Sequence, residues 1–162
     1  MAKRKVVSNF VTIDPSSRSM GVAIWNTEQP APVGTALFKG KHGEDWSESM
    51  LQIGKDLNAL LKDGTYYKVF CEQPAYMAGS HQTAASGALV KLTHSAGVAA
   101  GICIAHGIYF EYVPINQWKG NLSKDVVNKR IRKILADESL CETFVDDEWD
   151  AVGIGLFVKG LF

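Results

Sequence analysis

The chain has 162 residues, 46% hydrophobic and 21% charged, with no low-complexity tract; that length suits a single domain able to bury a core without disulfides or a structural metal. Lys plus Arg and Asp plus Glu number 17 each, so the formal net charge is zero, which excludes a generic basic coat protein for nucleic acid. Cys71, Cys103 and Cys141 form no C-x-x-C pair and are expected as reduced thiols in a cytoplasmic protein; the broken apolar stretch after the N-terminal basic residues excludes a signal peptide, and no segment, the small-residue run over 96–105 included, reads as a membrane span.

Residues 6–13, with Val6, Val7, Phe10, Val11 and Ile13, predict a central strand ending at Asp14. Asp14-Pro15-Ser16-Ser17 is a turn by composition. Residues 21–25 and 34–38 predict two more strands, and the short connections make an antiparallel meander. Met50, Ile53, Leu57, Leu60 and Leu61 recur at helical spacing, with Asp45 or Ser47 as N-cap and Lys62-Asp63-Gly64 as the stop. Residues 68–71 predict a short buried strand running into Glu72, which Pro74 prevents from extending.

An Ala- and Gly-rich helix follows over 83–106. Its small side, with Ala96, Gly97, Ala99, Ala100 and Gly101, suits packing on the sheet first and a dimer contact second. Residues 108–113 predict a fifth strand. Ser123 is a good N-cap for a helix with Val127, Ile131, Ile134 and Leu135 on one face. A largely buried last helix covers 147–158. The order β-β-β-α-β-α-β-α-α predicts an α/β, ribonuclease-H-like fold over 1–162: a mixed five-stranded sheet, its first three strands antiparallel, with helices on both faces.

The charges are segregated. Lys119, Lys124, Lys129, Arg130, Arg132 and Lys133 are accompanied by one acid, Asp125; Asp137, Glu138, Glu142, Asp146, Asp147, Glu148 and Asp150 follow with no base among them. A basic surface for phosphates beside an acidic pocket for cations suits a metal-dependent nuclease, although two solvated helix faces would give the same pattern.

Four acids carry the chemical reading. Asp14 ends the first strand and Glu72 the fourth, and in this topology those strands are parallel neighbours. Asp147 and Asp150, three residues apart, share a face of the last helix. Anions so placed repel one another unless cations lie between them. Oxygen-only ligands favour Mg²⁺ or Mn²⁺, and two such ions roughly 4 Å apart would clamp a scissile phosphate. Taken singly, Asp14 serves as well as a turn former and Asp147 as an N-cap. Asp146 competes with Asp147 for the same role.

At these residues the sequence resembles the RuvC family of Holliday-junction resolvases. Ile13-Asp14-Pro15-Ser16-Ser17-Arg18-Ser19-Met20-Gly21 resembles the family's opening I-D-P-G-S-R-x-x-G. Cys71-Glu72-Gln73-Pro74 resembles its second acidic strand, and Ala96-Gly97-Val98-Ala99 the helix after it. Phe110-Glu111-Tyr112 resembles the next strand, and 147–155 the closing acidic helix. The motifs span nearly the whole chain in order.

The resemblance implies a homodimeric, Mg²⁺-dependent endonuclease that nicks four-way DNA junctions symmetrically, with no small-molecule cofactor. It gives Asp14, Glu72, Asp147 and Asp150 the metal roles and makes Lys119 and Lys124 the active-site lysines, or else backbone-phosphate contacts. Lys129, Arg130 and Lys133 are expected to bind DNA, and Tyr76 lies one residue from the family's base-stacking aromatic. Ser16 in place of Gly, and a short 119–124 segment, depart from the bacterial pattern and suggest a bacteriophage-type member. The rival readings are a nuclease for RNA–DNA hybrids, flaps or other branched DNA, an actin-like nucleotide-binding domain, and a non-catalytic DNA-binding protein.

Overall fold

The computed structural model describes residues 9–41, 43, 45–75 and 87–162. In chain order the elements are strands β1 (Asn9–Pro15), β2 (Ser19–Asn26) and β3 (Gly34–Lys39), helix α1 (Trp46–Asp63), β4 (Lys68–Glu72), α2 (Ala88–Ala105), β5 (Tyr109–Val113), the short α3 (Ile115–Trp118), α4 (Lys124–Leu135), the short α5 (Glu138–Cys141) and α6 (Asp147–Val158). The strands make one mixed sheet in the order β3-β2-β1-β4-β5. β2 is antiparallel to β1 and β3, while β4 is parallel to β1 and β5. This is the α/β arrangement that the sequence predicts, with β1 beside β4. The one-turn helices α3 and α5 are additions, too short to leave a periodic signal in sequence.

Local chemistry explains the boundaries. Asp45 caps α1, accepting from the Trp46 backbone N–H at 2.7 Å, and Gly64 ends it. Ser123 occupies the N-cap of α4 as expected, but its hydroxyl makes no capping bond. Gly87 caps the start of α2 with a left-handed φ of 66°. Residues 83–86 of the expected longer helix, and Val6 and Val7, lie outside the described residues.

The expectation that no segment reaches membrane-spanning length and apolarity is corrected by α2, which meets both measures. Leu89, Val90 and Leu92 extend the apolar run backward from the small residues at 96–105. In this fold α2 lies against α1 and the sheet, burying Ser95, Ala96, Ala99 and Cys103.

Strand alternation sorts the two faces. Val11, Ile13, Met20, Val22, Val69 and Cys71 share a core with Met50, Ile53 and Leu57 of α1 and with Ala96, Ala99 and Cys103 of α2. The intervening residues Phe10, Ala23, Trp25 and Phe70 pack with Trp118, with Val127 and Ile131 of α4, and with Ala151, Val152 and Ile154 of α6. By the same alternation Thr12, Asp14, Gly21 and Glu72 fall on the α6 side. Thr12 pins that helix to the sheet: its buried hydroxyl donates to the Ala151 carbonyl at 2.7 Å and accepts from Trp25 Nε1 at 2.9 Å. α6 is apolar along its body because the sheet and α4 cover it, and only its first turn carries acids.

Candidate active site

Register brings the first two acids together. Ile13 of β1 is paired with Cys71 of β4, so the next residue on each parallel strand, Asp14 and Glu72, emerges at the same edge. On the other side Asp14 is paired with Gly21 of β2. Gly21 has no side chain to hold off the first turn of α6, which therefore settles over the strand ends and delivers Asp147 and Asp150. Ser19, one strand repeat from Gly21, donates its hydroxyl to Asp147 Oδ2 at 2.5 Å.

The structure separates Asp147 from its rival. Asp146 has a φ of 44°, and its exposed carboxylate pairs with Lys39 at 3.4 Å. Asp147 instead faces the pocket. Glu148, the buried acid between Asp147 and Trp149, points the other way and accepts from the Val145 backbone N–H at 2.8 Å. That contact tethers the chain entering α6.

Among the described residues the pocket is short of positive charge. Asp14 is 8% exposed. Burial pushes its carboxyl well above the usual range, and Glu72, Asp150 and Asp147 push it further, against the opposing pull of Lys119. Glu72 is also raised, first by burial and then by Asp150, with Lys119 and the Trp118 hydrogen bond opposing. For Lys119, burial alone would lower the pKa, but Glu72, Asp150 and Asp14 together outweigh it and raise the ammonium above its ordinary value. Among the described residues, Lys119 is thus the one cation that opposes the charge of these carboxylates.

Lys119 follows α3, and its Nζ lies 3.2 Å from Asp150 Oδ2 and 3.5 Å from Glu72 Oε2. Trp118 Nε1 donates to the same Glu72 oxygen at 2.9 Å. Asp150 Oδ1 is buried without a hydrogen-bond partner among the described residues, a costly state for a carboxylate oxygen. Among the described residues no group of three or more His, Cys, Asp or Glu side chains is gathered closely enough to hold a metal ion as it stands. Lys119 bridging Glu72 and Asp150, and Ser19 holding Asp147, keep the carboxylates in their present positions. The donor chemistry nonetheless fits a hard divalent cation: every donor is oxygen, the negative charge is in excess, and one buried oxygen lacks a partner.

The other expected residues are placed differently. Lys124 stands exposed at the start of α4 and, among the described residues, makes no ion pair with the acids. Of the two candidate lysines only Lys119 is therefore at the pocket. Lys129, Arg130 and Lys133 are exposed on α4, and Arg130 lies over the Phe162 ring at 4.7 Å. Arg132 turns inward, pairing with Glu138 and stacking on Trp149. Tyr76 lies outside the described residues. The three cysteines are free and buried.

Two residues of the pocket escape sequence reasoning. Ser19 sits inside the opening motif, but nothing in the motif distinguishes a serine that orients an acid from one that makes a turn. Trp118 ends the one-turn α3, too short for any periodicity to show which way an indole points.

No protein-family model matches the sequence, and no curated protein matches it. Among solved structures, Thermus thermophilus RuvC in complex with a Holliday junction substrate superposes with a TM-score of 0.72 at 16% identity, over 91% of this chain and 90% of that one. A second Thermus thermophilus RuvC structure gives a TM-score of 0.70 at 16% identity over 91% of each chain. At that identity the likeness is one of fold: the chain has the RuvC, ribonuclease-H-like fold.

Proposed function

We propose that the chain is a divalent-metal-dependent endonuclease that acts, as a homodimer, on four-way or otherwise branched DNA, leaving 5′-phosphate and 3′-hydroxyl ends at paired nicks. The observation that carries this reading is the burial of Asp14 beside Glu72, Asp147 and Asp150, with Lys119 as the one ammonium among the described residues that opposes their charge on Asp14. An aqueous protein gains nothing from such a cluster unless cations complete it. The RuvC fold adds support, because a protein of that fold has been solved with a Holliday junction.

Asp14, Glu72, Asp147 and Asp150 would hold two Mg²⁺ ions, with Mn²⁺ as a substitute; such ions supply Lewis-acid activation of water and neutralise charge on the leaving 3′-oxygen. The protein's own groups do the rest. Asp14, buried on the strand between β2 and β4, has little freedom and would fix where the cations sit. Lys119, half-desolvated at the same place, is poised to meet the charge that develops on that phosphate. Lys129, Arg130 and Lys133 present an exposed basic face on α4, with Lys124 exposed at its start, and these grip backbone phosphates away from the scissile bond.

The test is incubation of the purified protein with labelled four-way, three-way, flap, RNA–DNA hybrid and duplex substrates, with and without Mg²⁺. Mg²⁺-dependent paired nicking of the four-way or branched substrates is expected. Preferential cutting of the hybrid would move the reading to a ribonuclease-H activity, and no cutting of any substrate would refute it.

A further inference from the structure

The tryptophans of this chain spend their indole N–H groups differently. Trp25 donates to the Thr12 hydroxyl and Trp149 to the Phe144 carbonyl, both internal contacts of the core. Trp118 donates to Glu72 Oε2, one of the carboxylates of the pocket, at 2.9 Å. Its ring face meanwhile carries the Lys119 ammonium at 4.6 Å from the centroid. One side chain therefore touches both charged partners of the Glu72–Lys119 pair, the acid by its edge and the base by its face.

The indole is also held still. Trp118 is 3% exposed and meets Phe162 edge-on, with ring centroids 5.7 Å apart. A Cβ on Gly153 of α6 would come within 2.6 Å of the ring, so the helix that carries Asp150 is shaped to receive this indole. A donor locked in this way fixes the rotation of the carboxylate that accepts from it. Without the N–H, Glu72 Oε2 keeps, among the described residues, only the contact to Lys119, whose longer, flexible stem does not fix its direction.

We infer that Trp118 is a positioning residue of the pocket, orienting Glu72 through its indole N–H and seating Lys119 on its ring, and that it thereby sets the affinity of the carboxylates for a divalent cation. The inference rests on the metal-nuclease reading above. Groups that orient a metal ligand from behind commonly change metal affinity by roughly 10–100-fold when removed.

The experiment is calorimetric titration of the full-length protein with Mn²⁺ in three forms: wild type, Trp118→Phe, and a protein in which the sulfur isostere 3-benzothienylalanine replaces Trp118. The isostere keeps the shape and aromatic face and loses only the N–H, so it remains informative if Trp118→Phe folds poorly. Binding of the metal-free proteins to a four-way junction is measured in parallel. The expected result is Mn²⁺ binding weakened by about tenfold or more in the isostere, with junction affinity unchanged. Wild-type Mn²⁺ affinity in the isostere, with or without a lowered melting temperature, would reduce Trp118 to a packing residue and overturn the inference while leaving the nuclease reading intact. A wild-type protein that binds no Mn²⁺ would overturn both.

Discussion

Gly21 lies so close to Asp147 that a Cβ on it would come within 2.1 Å of the Asp147 carbonyl oxygen. The obstacle is backbone, so α6 would have to lift off β2 to make room, and Asp147 and Asp150 would lift with it. Overpacking of this kind costs about 1–3 kcal/mol. Gly21→Ala is therefore expected to fold with a lower melting temperature and to bind divalent metal weakly. Thermal melts with and without Mg²⁺ check this: the stabilisation that Mg²⁺ gives the wild type should shrink sharply in the variant.

Asp14 makes a prediction about pH. Burial and the neighbouring acids raise its folded carboxyl well above its unfolded value, and that of Glu72 is raised as well. A group shifted upward favours the folded state while protonated, and that contribution is lost as pH rises through the folded pKa. Metal-free wild-type protein should thus lose stability from about pH 4, near the unfolded value, toward neutrality. Asp14→Asn has no such charge to bury, so the metal-free variant should melt several degrees above wild type at neutral pH. The gap should narrow in acid. A variant no more stable than wild type at neutral pH would mean that Asp14 is not held in a buried, cation-poor pocket.

Thr12 tests the link between core and site. Thr12→Val keeps the volume but leaves the buried Trp25 N–H without its acceptor. An unsatisfied buried donor costs about 1–3 kcal/mol, so a midpoint shift of that size in urea is expected, with unchanged m-value. Because the same hydroxyl docks Ala151, one residue after Asp150, Mg²⁺ binding should weaken as well.

The basic face of α4 should act on affinity, not chemistry. Replacing Lys129, Arg130 and Lys133 with Ala should weaken junction binding and flatten its salt dependence by about 0.9 in log–log slope per lost phosphate contact. Cleavage by saturating enzyme should keep its rate. A steep slope retained in the triple variant would place the DNA on another surface.

Much of this was legible before the fold was known, for physical reasons that differ by residue. Asp14 and Glu72 could be placed side by side because each ends an apolar strand, and strand order follows from the succession of elements. Asp147 and Asp150 could be placed together because helical spacing is fixed at 3.6 residues per turn. The choice between Asp146 and Asp147 was not legible, since it turns on a single positive φ at Asp146. The division between Lys119 and Lys124 was hidden for a similar reason. Lys119 follows a one-turn helix that leaves no pattern, and a turn that short determines on its own which lysine reaches the acids. The apolar length of α2 does not show in its small-residue half, because the larger apolar side chains, Leu89, Val90 and Leu92, precede it.

Single-turnover cleavage of a four-way junction by Asp14→Asn in Mg²⁺, beside a binding assay on the same DNA, tests the central claim most directly. The account predicts cleavage reduced by roughly a thousandfold or more, with junction affinity near that of wild type. Cleavage at the wild-type rate would contradict it.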